Sequence, residues 1–158
     1  MKKLILVILA SLGVFFILCG AFIAYTISRV DYKFTGQQLF DAINEYRVSV
    51  NVQPLALELD LCDNLVERYL AVKEPNTGHK GYEEWLANEG LVVDGKLIPK
   101  YGLIAELYVT ASTPDNAINF WVGSPGHRLT LEKPEFNVGC AYALEGTGVV
   151  IVAIDTEK

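Results

Sequence analysis

The chain opens on an uncharged, mostly apolar run from Leu4 to Ser28, with Lys2 and Lys3 before it and Arg29 after it. As a helix these 25 residues would measure about 37 Å, enough to span a bilayer. Beyond Tyr32 the pattern becomes periodic. Thr35 and Gln38 have the spacing of a capping box, and Leu39, Ile43, Tyr46 and Val50 follow at helical intervals, which predicts a helix over 35–50. Asn51-Val52-Gln53-Pro54 breaks it. A second helix is expected from Glu58 to Val72, with Leu61, Leu65, Tyr69 and Val72 inward. It stops before Pro75-Asn76-Thr77-Gly78. Tyr82 to Asn88 reads as a short helix ended by Gly90.

The second half alternates differently. Asp94-Gly95, between Leu91-Val92-Val93 and Lys96-Leu97-Ile98, suggests a tight hairpin. Leu103 to Thr110 reads as a buried strand holding one charge, Glu106. Thr113 caps a helix with Pro114 in its first turn, and Ala117, Ile118 and Trp121 form its apolar face until Pro125-Gly126 ends it. Val138 to Leu144 and Val149 to Asp155 are expected as paired strands joined through Glu145-Gly146-Thr147-Gly148. Helices followed by strands, without repeats or low-complexity tracts, indicate a mixed α/β domain.

This divides the chain into a segment over 1–31 and a domain over 32–158. The apolar run is longer than the core of an ordinary cleaved signal peptide, and Leu18 before Cys19 fits a lipoprotein signal poorly. An uncleaved anchor is the expectation: a single pass of the cell membrane, with the domain extracytoplasmic because the lysines precede the span. A secreted domain is the alternative if the segment is cleaved. From Tyr32 onward there are 127 residues with 10 Lys+Arg and 18 Asp+Glu, a net charge of −8. That acidity argues against nucleic acid or an anionic membrane surface as partners of the domain. Two cysteines remain in the domain, Cys62 and Cys140, read either as a disulfide or as two separately buried thiols. No Cys-x-x-Cys or His-x-x-x-His spacing is present.

The candidate chemistry rests on a few residues. Glu106 is anomalous, because a carboxylate inside an apolar strand needs a partner or an exit to solvent. The only two histidines are His79, bracketed by Gly78 and Gly81, and His127, which follows the turn Ser124-Pro125-Gly126. With Glu83 and Glu84 close after His79, these residues offer two imidazoles and two carboxylates, a set suited to zinc or a neighbouring divalent metal. Ser124 lacks a nucleophile-elbow context, and both cysteines read as structural.

Several segments together resemble the CAP superfamily of cysteine-rich secretory proteins, antigen 5 and pathogenesis-related proteins, in its short prokaryotic form. They are Ile43-Asn44-Glu45-Tyr46-Arg47, Pro54-Leu55 with Leu61 and Arg68, His79, Trp121 with Ser124-Pro125-Gly126-His127-Arg128, and Phe136-Asn137-Val138-Gly139-Cys140. The resemblance implies a three-layer α-β-α sandwich around a small antiparallel sheet. It also implies a cleft built from His79, His127, Glu106 and one of Glu83 or Glu84, with Glu84 preferred. The family pattern G-E-N-[IL] is replaced here by Ala105-Glu106-Leu107. The expected function is an extracytoplasmic binding module whose His/Glu cleft takes a divalent metal and a small lipid or peptide. The alternatives are a zinc-dependent hydrolase using the same cleft, with Glu106 or Glu84 as base, and an envelope scaffold with a vestigial pocket.

Overall fold

A computed structural model describes residues 34–158, apart from 64, 74–78, 89, 94 and 99. The expected membrane segment lies outside the described residues. Among the described residues no helix is long and apolar enough to cross a membrane. In chain order the elements are α1 (Gly36–Ser49), β1 (Ala56–Leu57), α2 (Leu59–Cys62), α3 (Leu65–Val72), α4 (Tyr82–Asn88), β2 (Val92–Val93) and β3 (Lys96–Leu97). They continue with β4 (Tyr101–Thr110), α5 (Pro114–Val122), α6 (Pro125–Glu132), β5 (Val138–Leu144) and β6 (Thr147–Asp155).

A four-stranded sheet in the order β1-β5-β6-β4 organises the domain. Its three long strands are antiparallel, while the two-residue β1 runs parallel to β5, so the sheet is not wholly antiparallel as expected. The central strand β6 shows why helices cover both faces. Its side chains alternate in direction, and both sets are buried and apolar. Val150 and Val152 join Leu39, Ile43, Trp121 and Leu131 of α1, α5 and α6 in one core. Val149, Ile151 and Ala153 join Leu61, Leu65, Tyr69 and Trp85 of α2, α3 and α4 in another. The α1 helix approaches the sheet so closely that a Cβ on Gly36 would lie 2.3 Å from the Ala141 carbonyl oxygen.

Local sequence explains most boundaries. Thr35 and Gln38 make the capping box in both directions. The Thr113 side chain accepts from Asn116 N–H at the start of α5. Glu145 and Gly146 both take positive φ, 53° and 78°, which closes the β5–β6 hairpin in two residues. β2 and β3 pair antiparallel as the expected hairpin, with Gly95 at φ 73°.

Two expectations are corrected. The helix predicted over 58–72 is two helices, because Asp63 is extended at ψ 131°. The residues after Pro125 do not simply leave the preceding helix; they start α6, with Pro125 in its first turn and Ser124 as its N-cap.

Polar side chains tie the layers together. Arg47 of α1 is buried and donates through Nε to Gln53 O (2.8 Å) and through Nη2 to Phe136 O (2.7 Å). Its Nη1 reaches Leu131 O (2.7 Å) and Lys133 O (3.2 Å). Asn44 donates to the Leu55 carbonyl and accepts from the Leu55 N–H, as a neighbouring strand would. The Ile43–Arg47 segment is thus a clamp on the loops that enter β1 and β5. Of the two readings of the cysteines, the disulfide is observed: Cys62 of α2 is bonded to Cys140 of β5 across 78 residues, with Cα atoms 5.3 Å apart.

Candidate functional site: a histidine pair over a buried ion pair

Glu106 lies opposite Ile151 in the β4–β6 ladder, and its side chain points to the face covered by α3 and α4. It is 7% exposed, so its charge needs compensation inside the protein. Arg68 provides it. The inward stripe of α3 is Leu65, Arg68, Tyr69 and Val72, and it carries the guanidinium to the strand. Arg68 Nε donates to one carboxylate oxygen of Glu106, and Nη2 donates to the other at 2.8 Å. This bidentate geometry makes the strongest kind of protein ion pair and fixes the carboxylate plane. The remaining nitrogen, Nη1, donates to the Lys80 carbonyl at 2.8 Å and so ties down the backbone next to His79.

His79 completes the network. Its Nδ1 lies 2.7 Å from Glu106 Oε2, while its side chain is half exposed. The ionised carboxylate can only accept, so Nδ1 carries the proton and donates. Nε2 then holds the lone pair on the other side of the ring.

His127 arrives from α6. Trp121 anchors the preceding α5 by donating its Nε1–H to Tyr108 O of β4 at 3.0 Å. After the turn at Gly123 and Ser124, the first turn of α6 places the His127 ring 6.0 Å from the His79 ring, centroid to centroid. Arg128 holds this helix outward, donating to Glu132, which also accepts from Tyr46 of α1. His127 Nδ1 is buried and has no hydrogen-bond partner among the described residues. Phe120, 57% exposed, lies 6.1 Å from the His127 ring and gives the rim an apolar edge.

Burial first, and then the neighbouring His79, lower the His127 pKa from the ordinary imidazole value. The unfolded chain therefore binds this proton more readily than the folded one. Stability from this source is intact above about pH 6.5 and falls as pH drops below it, levelling once the folded imidazole is protonated. An NMR titration of the free protein should give a His127 midpoint below that of a model histidine. A midpoint at or above the model value would contradict the burial of this ring.

Glu84 stands apart. It is exposed on the first turn of α4 and, with Glu83, Gly81, Tyr82 and His79, lines an open depression of about 460 Å3. No hydrogen bond or ion pair joins it to the other three candidates among the described residues. Beneath the depression, burial first and Glu106 second raise the Tyr82 phenol pKa. Its ring sits 5.8 Å from the Arg68 guanidinium and stacks near Trp85. Arg68 and Tyr82 are members of the site that the search for ligating residues missed. The signal for Arg68 is a charge at an inward position of an apolar helical stripe.

The fit to a metal follows from these contacts. Both Glu106 oxygens are occupied, one by Arg68 alone and the other by Arg68 and His79. Among the described residues no group of three or more His, Cys, Asp or Glu side chains is gathered so that it could hold a metal ion. Two imidazoles without a free carboxylate do not fit the four-residue ligand shell.

No family model matches the sequence, and no curated protein matches it significantly. Solved structures do resemble the fold. A cysteine-rich secretory protein from Staphylococcus aureus superposes with a TM-score of 0.61 at 16% identity, covering 76% of this chain and 38% of that one. An SCP-domain extracellular protein from Bacillus anthracis gives 0.57 at 21% identity, covering 74% and 39%. An outer surface protein from Borrelia burgdorferi gives 0.50 at 16% identity, covering 75% and 90%. The chain thus spans well under half the length of the first two. The described domain, a helix-covered four-stranded sheet with paired histidines in the first turn of α6 and beside β4, has the fold of the cysteine-rich secretory, or SCP, domain.

Proposed function

We propose that this is an extracytoplasmic SCP-type binding module that holds a small lipid or peptide in the cleft between His79 and His127. The observation that carries the reading is the Arg68–Glu106–His79 network. It places a buried ion pair behind a half-exposed imidazole, with a second imidazole 6.0 Å across the opening. Such placement holds a cleft-facing nitrogen in a defined state, which suits a positioned polar group in an otherwise apolar site. The ligand would present a hydrogen-bond donor to His79 Nε2 and an apolar portion to Phe120.

Extracytoplasmic placement is supported by the Cys62–Cys140 disulfide, a bond that persists in oxidising compartments. The similar structures are described as secretory, extracellular and outer-surface proteins, which agrees. The apolar run over 4–28 would anchor the domain to the membrane, or release it if cleaved. The hydrolase reading gains no support from the site. Glu106 is not free to act as a base, and among the described residues no hydroxyl or thiol bonds either imidazole.

The test is binding of a fluorescent lysolipid and of a short amphiphilic peptide amide to the full chain. At least one should bind saturably, and His79→Ala/His127→Ala should weaken it by roughly tenfold or more, the cost of losing one or two charged or directional hydrogen bonds. Unchanged binding in the double variant would remove the cleft from the account.

A further inference from the structure

We propose that the outer edge of β4 is a strand-docking site, which takes a short extended peptide of neutral or basic character. The inference rests on the cleft reading above and chooses the peptide over the lipid. β4 ends the sheet order, and among the described residues no strand pairs with its outer side. Which groups it leaves open follows from the ladder. Ala111 N–H donates to Gly146 O, and in an antiparallel ladder such bonded pairs recur at every second residue. Leu103, Ala105, Leu107 and Val109 therefore turn their N–H and C=O toward β6, while Ile104, Glu106 and Tyr108 turn theirs outward. The Trp121 Nε1–H, which reaches Tyr108 O from α5, agrees with that direction. The N–H and C=O of Ile104 and Glu106, and the N–H of Tyr108, are left without a backbone partner among the described residues. Glu106 shows that this edge is open. Its side chain is 1% exposed but the whole residue 7%, so the accessible part is main chain.

The surroundings fit an extended chain. His79 is bonded to Glu106 on the face covered by α3 and α4, whereas α6 packs on the opposite face through Leu131. The two imidazoles therefore meet at the β4 edge, 6.0 Å apart. Along the same strand, Leu103 and Ala105 join Leu129 and Phe136 in lining a largely apolar groove of about 530 Å3 on the α6 face. An added strand alternates its side chains between the two faces. The one opposite Ala105 would enter the groove, and the next, opposite Glu106, would lie beside His79. Main-chain bonds would supply affinity and the groove would supply selectivity, which a lipid chain cannot reproduce. β4 contains no proline or lysine to block pairing. The net charge of −8 over 32–158 favours a neutral or basic peptide.

The probe is a peptide amide of about seven residues, alternating valine and threonine between terminal lysines. Amide hydrogen exchange, read by NMR on the full chain in detergent micelles, tests its docking. In the free chain the amides of Ile104, Glu106 and Tyr108 should exchange faster than those of Ala105, Leu107 and Val109. Peptide at about ten times its Kd should slow the first set roughly tenfold and leave the second unchanged. N-methylating a peptide amide that faces β4 should weaken binding roughly tenfold, and methylating the next one along should not. Leu129→Glu, at an exposed position on the groove, should also weaken it. Slow exchange of the edge amides without peptide would show the edge already paired, by a second copy or by another part of the chain, and would overturn the proposal. So would edge amides that stay unprotected at about 1 mM peptide. That result together with histidine-dependent lysolipid binding would leave the cleft reading standing. Protection that persists undiminished in His79→Ala/His127→Ala would support the strand and remove the histidines from it.

Discussion

Arg47→Met should destabilise the domain by about 3–5 kcal/mol, the scale expected when several buried polar groups lose their partner together. The guanidinium donates to four carbonyls, those of Gln53, Leu131, Lys133 and Phe136. Methionine fills a similar volume but donates nothing, so those carbonyls lose their partner in the interior. Lysine keeps the charge, yet its compact ammonium cannot match the planar fork, so Arg47→Lys should fall between the two. Urea unfolding of the three proteins gives the comparison. A loss below about 1 kcal/mol for the methionine variant would mean that water satisfies the loop, not Arg47. The effect should extend to the site, because the 131–136 segment held by Arg47 continues directly from α6, which carries His127.

Removing the disulfide should cost a similar amount by a different route. Cys62→Ser/Cys140→Ser opens a link across 78 residues and returns that freedom to the unfolded chain. The chain-entropy estimate for a loop of that size is about 4.5 kcal/mol. Cys62 and Cys140 join α2 to the sheet at one edge, whereas Arg68 and Glu106 join α3 to β4. The folded site should therefore keep its geometry while the unfolding midpoint drops. Equal stability of the oxidised wild type and the double serine variant would contradict this account of the bond.

Much of this arrangement was legible in the sequence because it depends on local rules. Thr35 with Gln38, Thr113 with Pro114, and the glycine turns at 95 and 146 act through neighbours a few residues away. Glu106 was also legible as an anomaly, since burying a carboxylate demands a partner wherever that partner comes from. Its identity was not legible. Arg68 sits 38 residues earlier on another element, and only the register of α3 against β4 brings the two together. The stripe Leu65–Arg68–Tyr69–Val72 did hold the clue, a charge where periodicity demands an apolar side chain. Pro125 misled in the other direction. Proline ends one helix and is equally suited to begin the next, and only the packing of Leu131 into the core selects the second role. Glu84 was offered by its closeness to His79 in sequence and preferred over Glu83 through the resemblance, and its side chain is exposed on the first turn of α4, with no bond to Glu106 among the described residues.

The claim at the centre of the account is that Arg68 and Glu106 hold His79 in one state, Nδ1–H toward the strand and Nε2 toward the cleft. Long-range nitrogen–proton NMR of the imidazoles reads this directly. The spectrum is best taken at a pH of about 8.5, roughly two units above the ordinary imidazole value. The account predicts a single tautomer for His79 in the wild type, protonated on Nδ1, and a mixture in Arg68→Gln. A wild-type His79 protonated on Nε2, or one that exchanges freely between tautomers, would contradict it.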